Sequence, residues 1–219
     1  MNKLCIVSDF DGTITERDGL YTFIQKYAVS GWEKIEQDWA DGKINSKECL
    51  IEEFKLVPNL SAELIENFIK TLNIDKYFVD FYNSVEENNI DFYIVSDGID
   101  YFIDRILNKY GLKNINIASN HGEFIDGKFV LTFPNDNSKC KNNAGTCKCR
   151  IISNLREKYS KICYIGDGVS DYCVADKADI LFAKSRLAKY AANKGLKYTP
   201  YSNFIDIKKE MNNLIPFSR

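Results

Sequence analysis

The chain has 219 residues, of which 45% are hydrophobic and 27% are charged, and its formal net charge is -2. These values are ordinary for a globular protein and argue against a disordered chain. Lysine and arginine are scattered among the acidic residues, so no basic surface indicates a nucleic-acid partner. We expect a small-molecule partner, and composition leaves the oligomeric state open.

Membrane and secretory features are not expected. No apolar run approaches the roughly 20 residues that a membrane helix needs, and the N-terminal apolar run is too short for a signal peptide. The seven cysteines are an odd number without secretory context, which favours reduced thiols over a disulfide framework. We therefore expect a cytoplasmic protein with no membrane partner.

The first predicted element is a buried strand at Leu4–Ser8, a short apolar run typical of a parallel sheet. Helical periodicity follows from about residue 18 to residue 89. Within it, Asn45 and Glu48 indicate a helix start of the capping-box type. This block holds no convincing strand and is predicted to be a small helical unit inserted after the first strand.

Strands and helices alternate through the rest of the chain. Asp126 and Gly127 form a two-residue turn signal that predicts a β-hairpin. The other predicted elements are a strand at 90–95, a helix at about 99–110, a strand at 114–118, a helix at about 146–159, a strand at 161–165, a helix near 171–177, a strand at 180–183 and two C-terminal helices. This alternation predicts an α/β fold with a doubly wound, mostly parallel, Rossmann-like sheet.

Acidic residues follow the predicted strands. Asp9 and Asp11 come after the first strand, and Asp167 and Asp171 come after the strand at 161–165. Ligands bind at the carboxyl ends of the strands in open α/β sheets, so we expect these carboxylates to converge. Converging carboxylates repel one another unless a cation neutralises them, and an all-oxygen environment suits Mg²⁺. A single aspartate after a strand is more often a turn former or helix cap, but the set of four predicts a magnesium site.

Two further segments are candidates for phosphate binding. The Ser96 hydroxyl could bond a phosphate oxygen, and the amides of Asp97 and Gly98 are predicted to lie at a helix start, where anions bind. Ser-Asp-Gly is also a common helix start without a ligand. Lys148 lies near the start of a predicted helix, where the helix dipole disfavours a cation, which indicates a fixed phosphate partner. A solvated surface lysine is the alternative.

Other chemistries fit less well. Residues 122–128 resemble a phosphate-binding loop, but Phe129 replaces the required serine or threonine and the segment leads into a strand. The glycine-rich segment after Gly166 has Asp171 where a dinucleotide fingerprint needs a glycine. His121 is the single histidine, which disfavours histidine-phosphatase and serine-triad mechanisms. Catalysis by carboxylate side chains is the class of chemistry that remains.

A cysteine cluster is the last feature. Cys140, Cys147 and Cys149 have a spacing that matches none of the strong zinc signatures. We interpret them as reduced structural thiols, and a metal site at these cysteines is the alternative.

Four motifs occur in a specific order, namely Asp9-Phe-Asp-Gly-Thr-Ile-Thr15, Ser96, Lys148 and Gly166-Asp-Gly-Val-Ser-Asp171. With these motifs the sequence closely resembles the haloacid dehalogenase (HAD) superfamily. The helical block between the first two motifs resembles the subgroup that contains phosphoserine phosphatase, in which a helical bundle caps the site. The resemblance implies a HAD-like α/β core at 1–16 and 90–219, and a helical cap at 17–89.

Within that subgroup, several segments look like the 2-hydroxy-3-keto-5-methylthiopentenyl-1-phosphate phosphatases of methionine salvage. They are Ser96-Asp-Gly-Ile-Asp-Tyr-Phe102, the cysteine-rich approach to Lys148, Leu181-Phe-Ala-Lys184 and Pro200-Tyr-Ser-Asn-Phe204. The resemblance runs nearly end to end and is weakest in the cap. It implies a small-molecule phosphomonoester as the substrate, with phosphoserine and phosphocholine- or phosphoethanolamine-like esters as alternatives.

The resemblance implies catalytic roles for four residues. Asp9 would attack phosphorus to form an aspartyl-phosphate, and Asp11 would protonate the leaving oxygen and then activate water. Ser96 and Lys148 would hold and neutralise the phosphoryl oxygens. These roles agree with the chemistry, because phosphoryl transfer needs in-line positioning, charge neutralisation and an acid.

The resemblance also implies a metal set and a residue that faces the substrate. Asp9, the carbonyl of Asp11 and Asp167 would bind Mg²⁺, and Asp171 would support them. Asp18 falls where phosphoserine phosphatase relatives carry a substrate-facing glutamate. A non-catalytic phosphate-binding module is the rival hypothesis, but a receiver-type domain is shorter and lacks both the second aspartate of Asp-x-Asp and a cap.

Overall fold

Within the residues that the computed structural model describes, 3–140 and 143–214, seven strands form one sheet. The strands are β1 (Leu4–Ser8), β2 (Asp91–Ile99), β3 (Asn116–Ile125), β4 (Lys128–Thr132), β5 (Lys161–Gly166), β6 (Ile180–Ala183) and β7 (Thr199–Pro200). Their order across the sheet is β4-β3-β2-β1-β5-β6-β7. The β3–β4 hairpin is antiparallel and the other pairs are parallel, which confirms the mostly parallel sheet.

Helices precede, follow and connect the strands. They are α1 (Gly19–Tyr27), α2 (Trp32–Ala40), α3 (Ser46–Lys55), α4 (Ala62–Ile69), α5 (Phe78–Glu87), α6 (Asp100–Lys109), α7 (Lys148–Lys158), α8 (Ser185–Asn193) and α9 (Phe204–Leu214). The helical block between β1 and β2 therefore contains α1 to α5. No helix in the described part of the chain combines the length and apolar character that a membrane crossing requires.

The core lies on both faces of the sheet because side chains alternate along each strand. Ile6 packs in one hydrophobic cluster together with residues of α5, α6 and α9. Cys5 and Val7, its neighbours in β1, pack in a second cluster with residues of α7 and α8. Helices thus cover both faces, which confirms the doubly wound α/β fold.

Helix α5 packs directly against the sheet, although it falls within the 17–89 range expected for the cap. The Phe78 ring lies 5.9 Å from the Phe92 ring of β2 and 4.8 Å from the Phe204 ring of α9. The division of the chain into core and cap at residue 89 stays a prediction. These contacts connect α5 with elements that are expected to belong to the core.

The predicted turn at Asp126 and Gly127 is confirmed as the two-residue connection between β3 and β4. Both residues have positive φ, 48° and 76°, as a type I′ hairpin turn requires. The predicted helix near 171–177 is wrong, since the structure has a short 3-10 turn at Val169–Asp171. Asp171 is fully buried there, and its side chain holds the preceding loop instead of beginning a helix.

All seven cysteines are free thiols. The Cys147 sulfur accepts a hydrogen bond from the side-chain amide of Asn137 at 3.6 Å, and the Cys149 thiol donates to the Cys173 carbonyl at 3.1 Å. These contacts tie the cysteines into the packing around α7. Among the described residues, Cys140, Cys147 and Cys149 do not bring their sulfur atoms together as a metal-binding group would require.

Candidate active site

Three adjacent strands position the predicted site. Asp9 follows β1, Ser96 lies near the end of β2, and Asp167 follows β5, while β1 lies between β2 and β5 in the sheet. Because the three strands are parallel, their carboxyl ends meet at one edge. The cleft at this edge has a volume of about 870 Å³, and the predicted residues that line it are Asp9, Asp11, Asp18, Ser96, Asp97, Gly98 and Asp167.

Lys148 is buried between two carboxylates at the first turn of α7. Its Nζ lies 2.9 Å from Asp9 Oδ1 and 2.6 Å from Asp171 Oδ1, and the side chain is 2% exposed. Burial alone would lower the pKa of Lys148, but the carboxylates of Asp171 and Asp9 outweigh burial and raise it. The lysine is therefore a fixed positive charge, and the alternative of a solvated surface lysine is wrong.

Asp9 is 5% exposed. Two groups contact its carboxylate, and both contact the same oxygen, Oδ1. The Phe10 amide donates to Asp9 Oδ1 at 2.7 Å, and Lys148 contacts the same atom. Burial and the nearby charge of Asp171 raise the pKa of Asp9 well above its usual range. A carboxylate held this way is pre-oriented, but it needs more positive charge than Lys148 alone to remain ionised.

Asp171 anchors the loop that carries Asp167. Its Oδ1 accepts from the Tyr164 hydroxyl at 2.6 Å and from Lys148, and its Oδ2 accepts from the amides of Asp167 and Gly168, each at 3.0 Å. Four protein donors thus occupy its two oxygens. The supporting role that the resemblance implies for Asp171 stays a prediction.

The loop after β1 also holds the Asp167 carboxylate in place. The Thr13 hydroxyl donates to Asp167 Oδ1 at 2.9 Å. Gly12 has a φ of +72°, and a Cβ there would lie 2.9 Å from Asp167 Oδ2, so the turn and the carboxylate both require glycine. Burial and Asp171 raise the pKa of Asp167.

The residues present fit a divalent cation that prefers oxygen ligands. Asp9, Asp167 and Asp171 each place a carboxylate oxygen within 4.8 Å of the others. The raised pKa values of Asp9 and Asp167 indicate that this cluster of carboxyl groups lacks positive charge. Carboxylate and carbonyl donors suit a hard cation.

Asp11 links the site to α1, the first helix of the block between β1 and β2. The Gly19 amide at the start of α1 donates to Asp11 Oδ1 at 2.9 Å. Burial raises the pKa of Asp11 to about 8, with a further contribution from the charge of Asp18. A carboxyl group that keeps its proton near neutral pH can serve as a general acid.

The helix predicted from about residue 99 is confirmed as α6, but Asp97 and Gly98 lie within β2, which continues through Ile99. The Gly98 amide donates to the Ser96 hydroxyl at 3.0 Å. The Asp97 carboxylate accepts from the Thr146 amide at 2.8 Å, which fastens the loop that leads to Lys148. Phosphate binding by these residues stays a prediction.

Substituting Gly98 by alanine should displace the Asp11 carboxyl group. A Cβ at this position would lie 2.6 Å from Asp11 Oδ2, a contact that forces the carboxylate to move. We expect kcat to fall by about 100-fold, as misplaced catalytic groups commonly cause, while circular dichroism and the melting temperature stay close to those of the parent. An unchanged kcat in the folded variant would show that Asp11 does not act from its observed position.

Sequence reasoning missed several residues in and around the site. Tyr164 was assigned only to a strand, and nothing local indicated that its hydroxyl holds Asp171. Glu36 and Glu53 line the cleft from α2 and α3. The sequence does contain a signal for Glu53, because this residue lies four positions after Cys49 and three after Leu50, on the buried face of its helix.

The chain was compared with known proteins. Residues 4–197 match the family model described as "Putative Phosphatase". A 2-hydroxy-3-keto-5-methylthiopentenyl-1-phosphate phosphatase of Bacillus cereus (strain AH820) is 31% identical over 212 residues, which cover 96% of this chain and 96% of that protein.

Two solved structures show the fold. A HAD-family hydrolase of Salmonella enterica subsp. enterica serovar Typhi has a TM-score of 0.74 at 17% identity and covers 97% of this chain and 70% of that one. A phospho-aspartyl intermediate analogue of phosphoserine phosphatase has a TM-score of 0.69 at 21% identity and covers 98% and 99% of the two chains. These matches confirm the resemblance, and the chain belongs to the "Putative Phosphatase" family of HAD-fold phosphatases.

Proposed function

We propose that this phosphatase hydrolyses a small-molecule phosphomonoester, with Mg²⁺ as its cofactor and an aspartyl-phosphate on Asp9 as its intermediate. The observation that carries the proposal is the buried triad in which Lys148 Nζ lies 2.9 Å from Asp9 and 2.6 Å from Asp171. It fixes a cation beside a carboxylate that lines the cleft. Attack on phosphorus needs this combination.

In the first step, a carboxylate oxygen of Asp9 forms a bond to phosphorus and the bond to the ester oxygen breaks. Asp11 gives its proton to that oxygen, so the leaving group departs as a neutral alcohol. Ser96 and Lys148 hold the phosphoryl oxygens while charge builds on them. The raised pKa of Asp11, about 8, keeps the required proton in place near neutral pH.

In the second step, water attacks the same phosphorus atom and the bond to Asp9 breaks. Asp11, now a carboxylate, takes a proton from the water, which restores the starting states of both residues and releases inorganic phosphate. Asp9, the carbonyl of Asp11 and Asp167 would hold Mg²⁺, with Asp171 supporting Asp167. When bound, the ion neutralises the carboxylates and polarises a phosphoryl oxygen.

The substrate named for the Bacillus cereus relative, 2-hydroxy-3-keto-5-methylthiopentenyl-1-phosphate, is the first ester that we propose for this chain. Identity of 31% across 96% of the chain supports it. Phosphoserine and phosphoethanolamine- or phosphocholine-like esters are the second class, and the acidic residues that line the cleft favour them. A cytoplasmic location belongs to the same proposal.

We place the cap at α1 to α4, from residue 17 to about residue 74. The contacts of Phe78 with Phe92 and Phe204 support this boundary, because they assign α5 to the layer on the sheet. The cap would exclude water from the aspartyl-phosphate and contact the leaving group, and so determine which esters bind. Asp18 is exposed at the cleft, and its carboxylate accepts a hydrogen bond from the Tyr21 amide at 2.9 Å. It stays the residue of the cap that we predict to face the substrate.

A panel of phosphate esters, assayed with chelator and with added Mg²⁺, tests the proposal. Activity should be lost in chelator and restored by Mg²⁺, because the crowded carboxylates cannot all ionise without a cation. Full activity in chelator would refute the mechanism. Failure to hydrolyse any ester with Mg²⁺ present would favour a phosphate-binding module instead.

A further inference from the structure

Two half-buried thiols lie together beside the ion pair of Lys148 and Asp171. Cys149 is the second residue of α7 and directly follows Lys148, while Cys173 lies two positions after Asp171. The two thiol groups interact directly, and neither residue lines the cleft. The cysteines therefore bring together the same two segments of the chain that the ion pair joins.

A lysine adjoins both residues of this pair. Lys177 Nζ lies 3.7 Å from Cys149 Sγ and donates to the Cys173 carbonyl oxygen at 2.7 Å. The Cys149 thiol donates to that same carbonyl at 3.1 Å, a bond that favours the protonated form. The ammonium group offsets this bond, because it draws electron density from the shared oxygen and places a positive charge beside the sulfur.

The surroundings of Cys149 therefore favour its thiolate. Its position in the first turn of an 11-residue helix favours negative charge through the helix dipole. The interaction with Cys173 and the charge of Lys177 lower the pKa of the Cys149 thiol from 9.0 to about 6. Since the thiolate is the nucleophilic form of cysteine, Cys149 should react with electrophiles near neutral pH.

The other cysteines have less reactive surroundings. Cys140 contacts Cys147, but Cys147 is 1% exposed, and burial raises its pKa. Burial also raises the pKa of three thiols that lie within the core, those of Cys5, Cys49 and Cys163. Cys149, half-buried and in contact with an ammonium group, is the thiol that we expect to react first.

We propose that Cys149 and Cys173 form a redox switch, in which a hydroperoxide converts the two thiols into a disulfide and a dithiol reductant reverses the change. Cys149 is the thiol that the peroxide oxidises, and Cys173 is the thiol that resolves the product. Redox-sensing cysteines are accessible, acidic thiols that lie next to a resolving cysteine. The thiol chemistry does not depend on which phosphate ester the protein hydrolyses.

The oxidation proceeds in two steps. In the first, the Cys149 sulfur attacks a peroxide oxygen, an S–O bond forms, the O–O bond breaks, and with hydrogen peroxide the leaving hydroxide takes a proton and departs as water. In the second, the Cys173 sulfur attacks the sulfenic acid, an S–S bond forms and the S–O bond breaks. The proton of the Cys173 thiol leaves with the hydroxide as a second water. The two sulfurs together lose two electrons, which the peroxide gains.

The disulfide should reduce turnover because of where it lies. Forming the bond draws the first turn of α7 and the segment after Asp171 from contact to covalent distance. Lys148 lies in that turn and contacts Asp9 at 2.9 Å, so the movement displaces the charge beside the nucleophile. Misplacing a catalytic group by about 1 Å can cost roughly 100-fold, and we expect kcat to fall by about tenfold or more.

Peroxide treatment of the full chain tests the switch. After hydrogen peroxide, mass spectrometry of a non-reduced digest should show Cys149 linked to Cys173. The kcat for p-nitrophenyl phosphate with Mg²⁺ should fall in parallel with this linkage, and dithiothreitol should restore it. If the chain hydrolyses no ester, the phosphatase proposal fails, while the digest still decides whether the two thiols react.

Substitutions assign the two roles. Cys149→Ser should keep the kcat of the reduced parent and lose its sensitivity to peroxide. Cys173→Ser should stop at the sulfenic acid, which dimedone would label on Cys149. Cys140→Ser removes a half-buried thiol outside the pair and is the matched control, so it should respond as the parent does. Melting temperatures in dithiothreitol show that the serine variants are folded.

Lys177→Met tests the origin of the reactivity. Without the ammonium group, less of the Cys149 sulfur is thiolate, and its oxidation at pH 7 should slow by about fivefold or more. Lys158→Met, which removes an exposed lysine from the other end of α7, should oxidise as the parent does.

Four results would overturn the switch. The first is a parent that forms no disulfide between Cys149 and Cys173 under peroxide, and the second is a disulfide between Cys140 and Cys147 in its place. The third is an equal loss of kcat in Cys149→Ser, and the fourth is a complete Cys149–Cys173 disulfide with unchanged kcat. The first two and the fourth are measured on the parent, so the test stands even if a variant does not fold.

Discussion

Asp9→Asn should reduce kcat by about 10³-fold or more on every phosphate ester, the scale seen when a catalytic nucleophile is removed. The amide is nearly isosteric with the carboxylate but is a far weaker nucleophile. Residual activity within about tenfold of the parent, only ~1.4 kcal/mol of barrier, would refute the assignment of Asp9.

The fold should survive this substitution. The asparagine side chain can keep a carbonyl oxygen that accepts from Phe10 and Lys148, and the change removes a buried carboxyl group whose pKa is raised by burial and Asp171. We therefore expect a melting temperature equal to or above that of the parent. Asp80→Asn is the control, because Asp80 is exposed and pairs with Lys208, and its activity should be unchanged.

A trapping experiment separates nucleophilic attack from simple binding. Acid quenching of the parent during turnover should capture a phosphorylated enzyme, seen by mass spectrometry as an added phosphoryl group on the peptide that contains Asp9. Asp9→Asn should give none. Phosphate found on another residue of the parent would contradict the mechanism even if the variant were inactive.

Much of the site could be predicted from the sequence because its residues follow parallel strands. The carboxyl ends of β1, β2 and β5 meet at one edge whatever the details of the connecting loops, so Asp9, Ser96 and Asp167 had to come together. The burial of Lys148 was indicated only indirectly, by its unfavourable place at a helix start. Its partner Asp171 was expected in the site, but the hydrogen bond from Tyr164 depends on tertiary packing.

The error near Asp171 has a structural cause. The residues after Asp171 were predicted to be helical, but the Asp171 side chain accepts hydrogen bonds from backbone amides of the loop that precedes it. Local propensity does not register such tertiary bonds. The contact between Glu36 and Glu53 was likewise invisible, because it depends on how α2 packs against α3.

Lys148→Met should both abolish turnover and destabilise the protein. Lys148 is 2% exposed and neutralises Asp9 and Asp171, so its loss leaves two buried carboxylates facing each other. Breaking a buried ion pair by removing one partner costs about 3–5 kcal/mol. Urea denaturation in chelator measures this cost, and Lys158→Met at the exposed end of α7 is the matched control.

A second substitution tests the reason for that loss. If uncompensated charge destabilises Lys148→Met, then adding Asp171→Asn should restore part of the free energy of unfolding, because it removes one of the two carboxylates. The double variant should therefore be more stable than Lys148→Met and remain inactive, since no cation holds the phosphoryl oxygens beside Asp9. Strictly additive losses in the double-mutant cycle would show that Lys148 and Asp171 do not stabilise each other. Packing, and not the attraction between opposite charges, would then hold Asp9, Lys148 and Asp171 in their observed positions.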